Sequence, residues 1–364
     1  MFPRIPVLLI IILLFQLLIS IPGITWAAPG GSYEPRLGPR NLAVIVNDAD
    51  PLSIRIGEYY QAMRHIPNAN IIHIRFTPGE AVMPPAQFRA LKVRVDALTP
   101  HNVQAYALTW TEPYRVGCMS ITTAFAAGFH LAYCASDCRP TKYDPYFDSP
   151  SHAPYTDFGI RPTMALAGTS FQQVKRLIDR GVASDGTFPH GTGYLLSTSD
   201  RTRNVRATMY PEIVAELGKT IRLRIVHANF IANKKNVLFY FTGIARVQAL
   251  RTNHFLPGAI ADHLTSFGGQ LLGSSQMSSL AWLKAGATGS YGTVVEPCNL
   301  IDKFPSPGVL MRYYLEGESL IEAYWKSVAM PGQGIFIGEP LAAPYGSKNR
   351  IDGSVQQAYP HDQM

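Results

Sequence analysis

The feature that most constrains the fold is a repeated succession of short apolar runs, each followed by polar residues and a helical pattern. In the first unit, the apolar runs are residues 42–46 and 71–74. Between them, apolar side chains recur at helical spacing. Pro51 suits a first helical turn, and Asp50 before it suits a non-helical cap. Strand, helix and strand in this order build parallel sheets.

The rest of the chain continues the same pattern. Helices are expected near residues 170–180, 203–219 and 278–286, followed by a helical hairpin that breaks at Gly317. Further strands are predicted for VQAYALTW, GYLLSTSD, NVLFYFTG, GAIAD, ATGSYGTVV and GIFIGEPL. We therefore predict an α/β protein with a mostly parallel sheet and flanking helices, of Rossmann type.

The first 27 residues differ from the remainder. Arg4 is their only charge, VLLIIILLFQLLISI is apolar, and ITWAAPGG offers small residues for cleavage after Ala27. This pattern predicts a signal peptide, residues 1–27, and hence a periplasmic or extracellular protein. The alternative is an uncleaved membrane anchor, because the apolar run is only slightly short for a bilayer span.

Residues 28–345 are predicted to form a single large α/β domain. Its two sub-units, about 40–138 and 163–345, would be joined by an excursion rich in proline and tyrosine, residues 139–162. The polar tail, residues 346–364, has no hydrophobic periodicity.

The charge pattern bears on possible partners. The formal net charge is +7, and it falls by one if Arg4 is removed with the signal. The basic residues are spread along the chain, whereas nucleic-acid binding needs a concentrated basic stripe with interleaved aromatic residues. We expect no nucleic-acid partner, and membrane contact only if the N-terminal segment is uncleaved.

The chain has four cysteines, Cys118, Cys134, Cys138 and Cys298. An even number in an exported protein favours disulfides. Cys134 and Cys138 could close a small loop, which leaves Cys118 and Cys298 to pair with each other or stay free. Zinc ligation is disfavoured because no second cysteine or histidine pair stands at zinc-ligand spacing.

Several motifs together resemble an uncharacterised family of exported bacterial proteins, over about residues 40–346. They include NDADP, YLLSTSDRTRNVRA, PGAIADHLTSFGG, GATGSYGTVVEPC, EAYWKSV and GEPLAAPYG. This resemblance implies export but no particular activity.

A more distant resemblance is to the caspase-like fold of gingipain-type cysteine peptidases. In that fold one buried strand ends in His-Gly and the next parallel strand ends in the nucleophilic cysteine. Here NVLFYFTG and GAIADHL occupy those places, so that Thr242 and Gly243 replace His-Gly, and Asp262 and His263 stand where cysteine is expected. The resemblance implies the fold without the catalytic pair, and cysteine peptidase chemistry needs both a thiolate and a base.

Polar residues follow most of the predicted strands, and in parallel sheets ligands bind beyond the carboxyl ends of the strands. We expect one rim that could form a hydrolytic or cation site. The catalytic candidates are Asp262 and His263. The ligand-binding candidates are Asp48, Asp50, Thr242, Thr265, Ser266 and Glu296.

Two of these motifs allow opposite interpretations. Asp262 and His263 could be an acid/base pair or metal ligands, or Asp262 could cap the following turn while His263 is a satisfied core histidine. The loop with Asp48 and Asp50 could hold a divalent cation through oxygen ligands, or Asp50 could simply cap a helix.

The sequence favours an exported, non-peptidase protein that serves in binding or structure. The alternative is an exported hydrolase that works through His263 and Asp262 with Asp48 or Asp50.

Overall fold

The structure is a computed structural model that describes residues 36–135 and 138–346. The predicted signal peptide lies outside the described residues, as does the predicted tail after Gly346. Within the described ranges, no helix is both long and apolar enough to cross a membrane.

The described residues form 13 strands. They are β1 (Leu42–Asn47), β2 (Ile71–Ile74), β3 (Val82–Met83), β4 (Ala105–Leu108), β5 (Arg115–Val116), β6 (Met119–Ser120), β7 (Thr163–Ala165), β8 (Thr192–Ser197), β9 (Arg222–His227), β10 (Val237–Thr242), β11 (Phe255–His263), β12 (Gly289–Thr293) and β13 (Gly334–Gly338).

The same ranges contain nine α-helices. They are α1 (Pro51–Arg64), α2 (Pro85–Leu98), α3 (Ile121–Ala127), α4 (Pro154–Phe158), α5 (Phe171–Ser184), α6 (Tyr210–Leu217), α7 (Leu280–Ala285), α8 (Pro307–Leu315) and α9 (Leu320–Lys326). A 3-10 helix, Asn204–Met209, leads directly into α6.

Ten of the strands form one sheet in the order β2, β1, β4, β7, β13, β12, β11, β10, β8, β9, and β3, β5 and β6 form a small second sheet. In the large sheet, β1 is parallel to β2 and β4, and β10 is parallel to β8 and β11. The final strand β13 is antiparallel to β12. The structure therefore confirms an α/β fold with a mostly parallel sheet and flanking helices.

The predicted sub-unit boundaries stay predictions. Strand β7, which begins at residue 163, pairs with β4, so it lies beside strands of the first predicted sub-unit.

Helix α1 begins as its sequence predicts. The Asp50 carboxylate accepts the Leu52 backbone N–H at 2.9 Å, and Pro51 occupies the first turn, where its missing N–H has no cost. Ile56 and Tyr60 of this helix are buried in the core. The first unit of the sheet is thus fixed by local signals that the sequence already carries.

A buried ion cluster holds α1, α5 and β13 together. Arg64, at the end of α1, pairs with both Asp185 and Glu339, and the Tyr60 hydroxyl donates to Glu339 Oε1 at 2.7 Å. Each carboxylate comes from a different part of the chain, immediately after α5 and after β13. Because buried charges are tolerated only when they are paired, this cluster fixes the relative positions of the three elements.

The disulfides differ from the small loop that the sequence suggested. Cys118 pairs with Cys134, and Cys138 pairs with Cys298. The expectation that Cys134 bonds Cys138 is therefore wrong. The fold brings Cys134 back beside Cys118, and it brings Cys138 to the loop after β12, a contact across 160 residues that sequence spacing cannot reveal.

Candidate functional site

Strands β10 and β11 end side by side. Their ends are the positions at which the resemblance to gingipain-type peptidases would place a catalytic histidine and cysteine. Thr242, the last residue of β10, is directly opposite His263, the last residue of β11. Both side chains are almost completely buried, at 0% and 2% exposure. The two positions are therefore adjacent, as the resemblance implies, but neither is open to solvent.

Both ring nitrogens of His263 are engaged by protein groups. The indole N–H of Trp282 donates to Nδ1 at 2.9 Å, and Nε2 lies 3.0 Å from the Met277 carbonyl oxygen. An indole can only donate, so Nδ1 carries no proton and the Nε2–H donates to Met277. Burial, together with the positive charges of Arg206 and Arg203, lowers the pKa of His263 to about 4. His263 is a neutral, fully hydrogen-bonded core histidine in this structure.

Asp262 has a different partner on the other face of the sheet. Arg206 donates from Nη2 to Asp262 Oδ1 at 2.6 Å and to the Thr242 carbonyl at 2.8 Å, and from Nη1 to the Pro305 carbonyl at 3.2 Å. Burial raises the pKa of Asp262, and the guanidinium of Arg206 acts in the opposite direction. Because adjacent strand residues point to opposite faces, Asp262 and His263 do not contact one another as an acid/base pair.

Glycine after β10 helps to close the site. A Cβ built on Gly243 would lie 1.9 Å from the Arg203 carbonyl oxygen, where no side chain fits. The backbone that leads into the 3-10 helix therefore packs directly on the residue after Thr242. In its turn, Thr198 Oγ1 donates to the Gly243 carbonyl at 2.6 Å.

The segment after β11, residues 264–279, covers the other side of the site, and we call it the covering segment. It supplies the Met277 carbonyl to His263. It is itself tied down, because Thr265 Oγ1 donates to Gln276 Oε1 at 2.6 Å and Thr293 Oγ1 donates to the Ser266 carbonyl at 2.8 Å. Thr265 is buried, and its hydrogen bond to Gln276 holds the covering segment together. Ser266 is partly exposed.

The acidic candidates near β1 lie far from His263. Asp48 is exposed and contacts His73 at 2.6 Å, and Asp50 caps α1. Strand β1 is five strand positions from β11 in the sheet, which corresponds to roughly 24 Å at the usual strand spacing. Acid/base groups must approach hydrogen-bonding range or share one water, so neither aspartate can act together with His263.

Glu296 lies after β12, on the loop that carries one disulfide. Its side chain is exposed, and its Oε1 accepts the Cys298 backbone N–H at 2.8 Å. The structure thus places the candidates in separate environments: a closed pair of strand ends, an exposed acidic turn after β1, and this loop.

Sequence reasoning missed a cluster that has the residue types of a metal site. His152, Glu318 and Glu322 each offer a ligand atom, and these atoms lie within 4.8 Å of one another. Glu318 comes just before α9 and Glu322 lies in its first turn, and their spacing of four residues is visible in the sequence. His152 comes from the predicted excursion, 170 residues before Glu322, so only the fold reveals the group.

Comparisons with known proteins were informative at the level of structure. No family model matches the chain, and no curated protein matches it either. The crystal structure of the Arg-specific cysteine proteinase gingipain R is similar with a TM-score of 0.50 and 10% identity, over 85% of this chain and 80% of that one.

A second similar structure is the complex of Porphyromonas gingivalis RgpB pro- and mature domains. Its TM-score is 0.46 at 11% identity, over 83% of this chain and 79% of that one. From its similarity to the gingipain R structure, the chain has the caspase-like fold. This confirms the fold that the resemblance to gingipain-type peptidases implied, and at such low identity the likeness shows the fold alone. The resemblance to an uncharacterised exported family stays a prediction.

Proposed function

We propose that the protein is an exported caspase-like protein without peptidase activity, which acts in binding or structure. The observation that carries the proposal is the pairing of Thr242 with His263 at the ends of β10 and β11. These are the positions at which gingipain-type chemistry needs a histidine and a cysteine. A threonine and a buried histidine supply no thiolate.

The state of the cysteines supports the same proposal. All four cysteines of the sequence are in disulfides, Cys118 with Cys134 and Cys138 with Cys298. A cysteine nucleophile must be a free thiolate, which a disulfide sulfur is not. The two disulfides also favour export, because such bonds persist in oxidising compartments.

The alternative of a hydrolase at His263 has less support. A general base needs a free nitrogen within hydrogen-bond reach of the substrate or of one water. His263 has none, since Trp282 and Met277 engage both of its nitrogens. Substrate could reach it only if the covering segment moved away.

Binding is better placed at the polar residues that remain accessible near the strand ends. Asp48 and Glu296 are exposed, and Asp50 and Ser266 are partly exposed. The other two ligand-binding candidates, Thr242 and Thr265, are buried. They would affect binding only by shaping the surface above them.

The test is an activity screen of the purified protein in oxidising and in reducing buffer. It would use a thiol-directed covalent probe and a broad peptide and ester substrate library, with an active caspase-like cysteine peptidase as the positive control. We expect no labelling in oxidising buffer, where the disulfides leave no free thiol, and no turnover in either buffer. A turnover that disappears in His263→Gln but persists in the surface control His190→Gln would support the hydrolase and defeat the proposal.

Export has its own measurement. When the full chain is expressed in a Gram-negative host, we expect the protein outside the cytoplasm, with both disulfides formed. A protein that stays in the cytoplasm with reduced cysteines would contradict this part of the proposal.

A further inference from the structure

We propose that His152, Glu318 and Glu322 form a binding site for a single divalent metal ion, with Zn²⁺ as the preferred ion. The site would tie the predicted excursion to α9. It is separate from the closed strand ends around His263, and it does not depend on whether the protein has enzymatic activity.

The geometry of the three side chains suits zinc. His152 Nδ1 lies 2.9 Å from Glu322 Oε1 and 3.8 Å from Glu318 Oε1. Zinc bonds to nitrogen and oxygen are about 2.0–2.2 Å long, so tetrahedral ligand atoms lie about 3.3 Å apart. These two separations lie on either side of that value, and all three ligand atoms lie within 4.8 Å of one another. An imidazole ligand favours zinc over the hard cations calcium and magnesium, which prefer oxygen.

The surroundings hold polar atoms that are free to take a ligand. Glu318 Oε2 and the hydroxyl oxygen of Tyr146 are both buried, and neither has a hydrogen-bond partner among the described residues. The ring of Tyr146 lies beside the cluster, with its centre 5.2 Å from the Lys326 Nζ. Tyr146 is fully buried, and Glu318 is 6% exposed. Buried polar atoms without partners are uncommon in proteins and call for a ligand or water.

Glu322 is oriented for ligation by its own helix. Its Oε2 accepts the Ser319 backbone N–H at 3.0 Å and the Ser319 hydroxyl at 2.5 Å, while its Oε1 faces His152. One carboxylate oxygen is thus held by the helix cap and the other is presented to the site. Outer hydrogen bonds of this kind fix the direction of a metal ligand.

Lys326 is the competing cation. Its Nζ contacts Glu318 Oε1 at 2.5 Å, and its side chain is fully buried. A divalent ion would bind beside this ammonium and be repelled by it. Removing the ammonium should therefore tighten metal binding, whereas removing a ligand should weaken it. A purely structural ion cluster would show no such pair of opposite effects.

His152 gives access to the site. Its side chain is 19% exposed, in contrast to the buried glutamates. The substitution His152→Ala should therefore disturb folding less than substitutions of either glutamate. It is the variant of choice for separating loss of the ligand from loss of structure.

The experiment is calorimetric titration of the purified, EDTA-treated and dialysed protein with ZnCl₂ alone at pH 7.5, with melting temperature as a second readout. We expect one equivalent to bind and the melting temperature to rise. His152→Ala and Glu322→Gln should each weaken binding by at least about tenfold. Lys326→Met should strengthen it.

The matched control is His190→Ala, a histidine in an exposed loop, which should bind zinc as the wild type does. Circular dichroism confirms that each variant is folded. Absence of zinc binding by the wild type would overturn the proposal. So would unchanged affinity in a folded His152→Ala variant, or weaker binding in a folded Lys326→Met variant.

Discussion

Trp282 donates its indole N–H to Nδ1 of His263 over 2.9 Å, and this contact fixes the imidazole in the tautomer that carries its proton on Nε2. Trp282 belongs to α7, the helix that follows the covering segment. The strand end, the covering segment and the helix therefore depend on a neutral His263.

The first prediction is a loss of stability in acid that depends on His263. Its pKa is lowered from 6.5 to about 4 in the folded protein. Between pH 6.5 and about 4, His263 is protonated in the unfolded chain but stays neutral in the folded protein. The contribution is thus fully present above pH 6.5 and is lost as the pH falls to about 4. The loss amounts to roughly 3 kcal/mol.

Urea unfolding between pH 7.5 and 4 would measure this effect. The variant His263→Gln, which keeps an amide donor for Met277, should be less stable at pH 7 but should show a shallower decrease towards pH 4. His190→Gln is the matched control and should follow the wild type. Equal pH slopes for wild type and His263→Gln would show that the histidine is not buried as a neutral ring.

The second prediction concerns the buried pair of Arg206 and Asp262. Arg206→Met should lower the free energy of unfolding by about 3–5 kcal/mol, because it leaves a carboxylate buried without its counter-charge. The double variant Arg206→Met/Asp262→Leu should recover part of that loss, since neither charge of this pair then remains in the core. Denaturant unfolding of the two single variants and the double variant gives the coupling energy. Simple additivity would contradict the pairing.

The sequence predicted those parts of the fold that depend on local signals. The cap at Asp50, the strand from Ile71 to Ile74 and the ends of β10 and β11 all follow from apolar runs and turn residues. The position of Thr242 beside His263 followed from the resemblance to gingipain-type peptidases, and the strand register bears it out.

The sequence could not predict contacts between distant segments. Whether His263 is reactive or structural depends on Trp282 and Met277, which reach it only when the covering segment folds over the strand end. The cysteine pairs and the group around His152 likewise join segments that lie far apart in the sequence. The spacing of residues along the chain does not predict such long-range contacts, because they depend on how the helices and loops pack on the sheet.

The third prediction orders the two disulfides by their effect on stability. Cys138 and Cys298 close a loop with a sequence separation of 160, and Cys118 and Cys134 close one with a separation of 16. On chain entropy the longer loop should contribute about 5 kcal/mol and the shorter one about 3 kcal/mol. Replacing each pair by two serines and measuring urea unfolding should therefore give the larger loss for Cys138 and Cys298.

Peptide mapping by mass spectrometry without reduction checks the pairing itself. It should recover a peptide that links Cys118 to Cys134 and another that links Cys138 to Cys298. A peptide that contains a bond between Cys134 and Cys138 would contradict the structure.

The fourth prediction tests whether the strand ends are closed. Thr242→Cys places a thiol at the end of β10 with little change in volume, and the Thr242 hydroxyl makes no hydrogen bond with the described residues that would be lost. Because the site is covered by residues 264–279 and by the backbone at Arg203, the thiol should react with iodoacetamide only after local opening. We expect labelling to be roughly 100-fold slower than at an exposed site, equivalent to an opening free energy of about 2.7 kcal/mol.

Ser275→Cys, on the exposed part of the covering segment, is the matched control. Equal labelling rates for the two variants in the native protein would mean that solvent reaches the strand ends, and the assignment of Thr242 and His263 to a closed core would then fail.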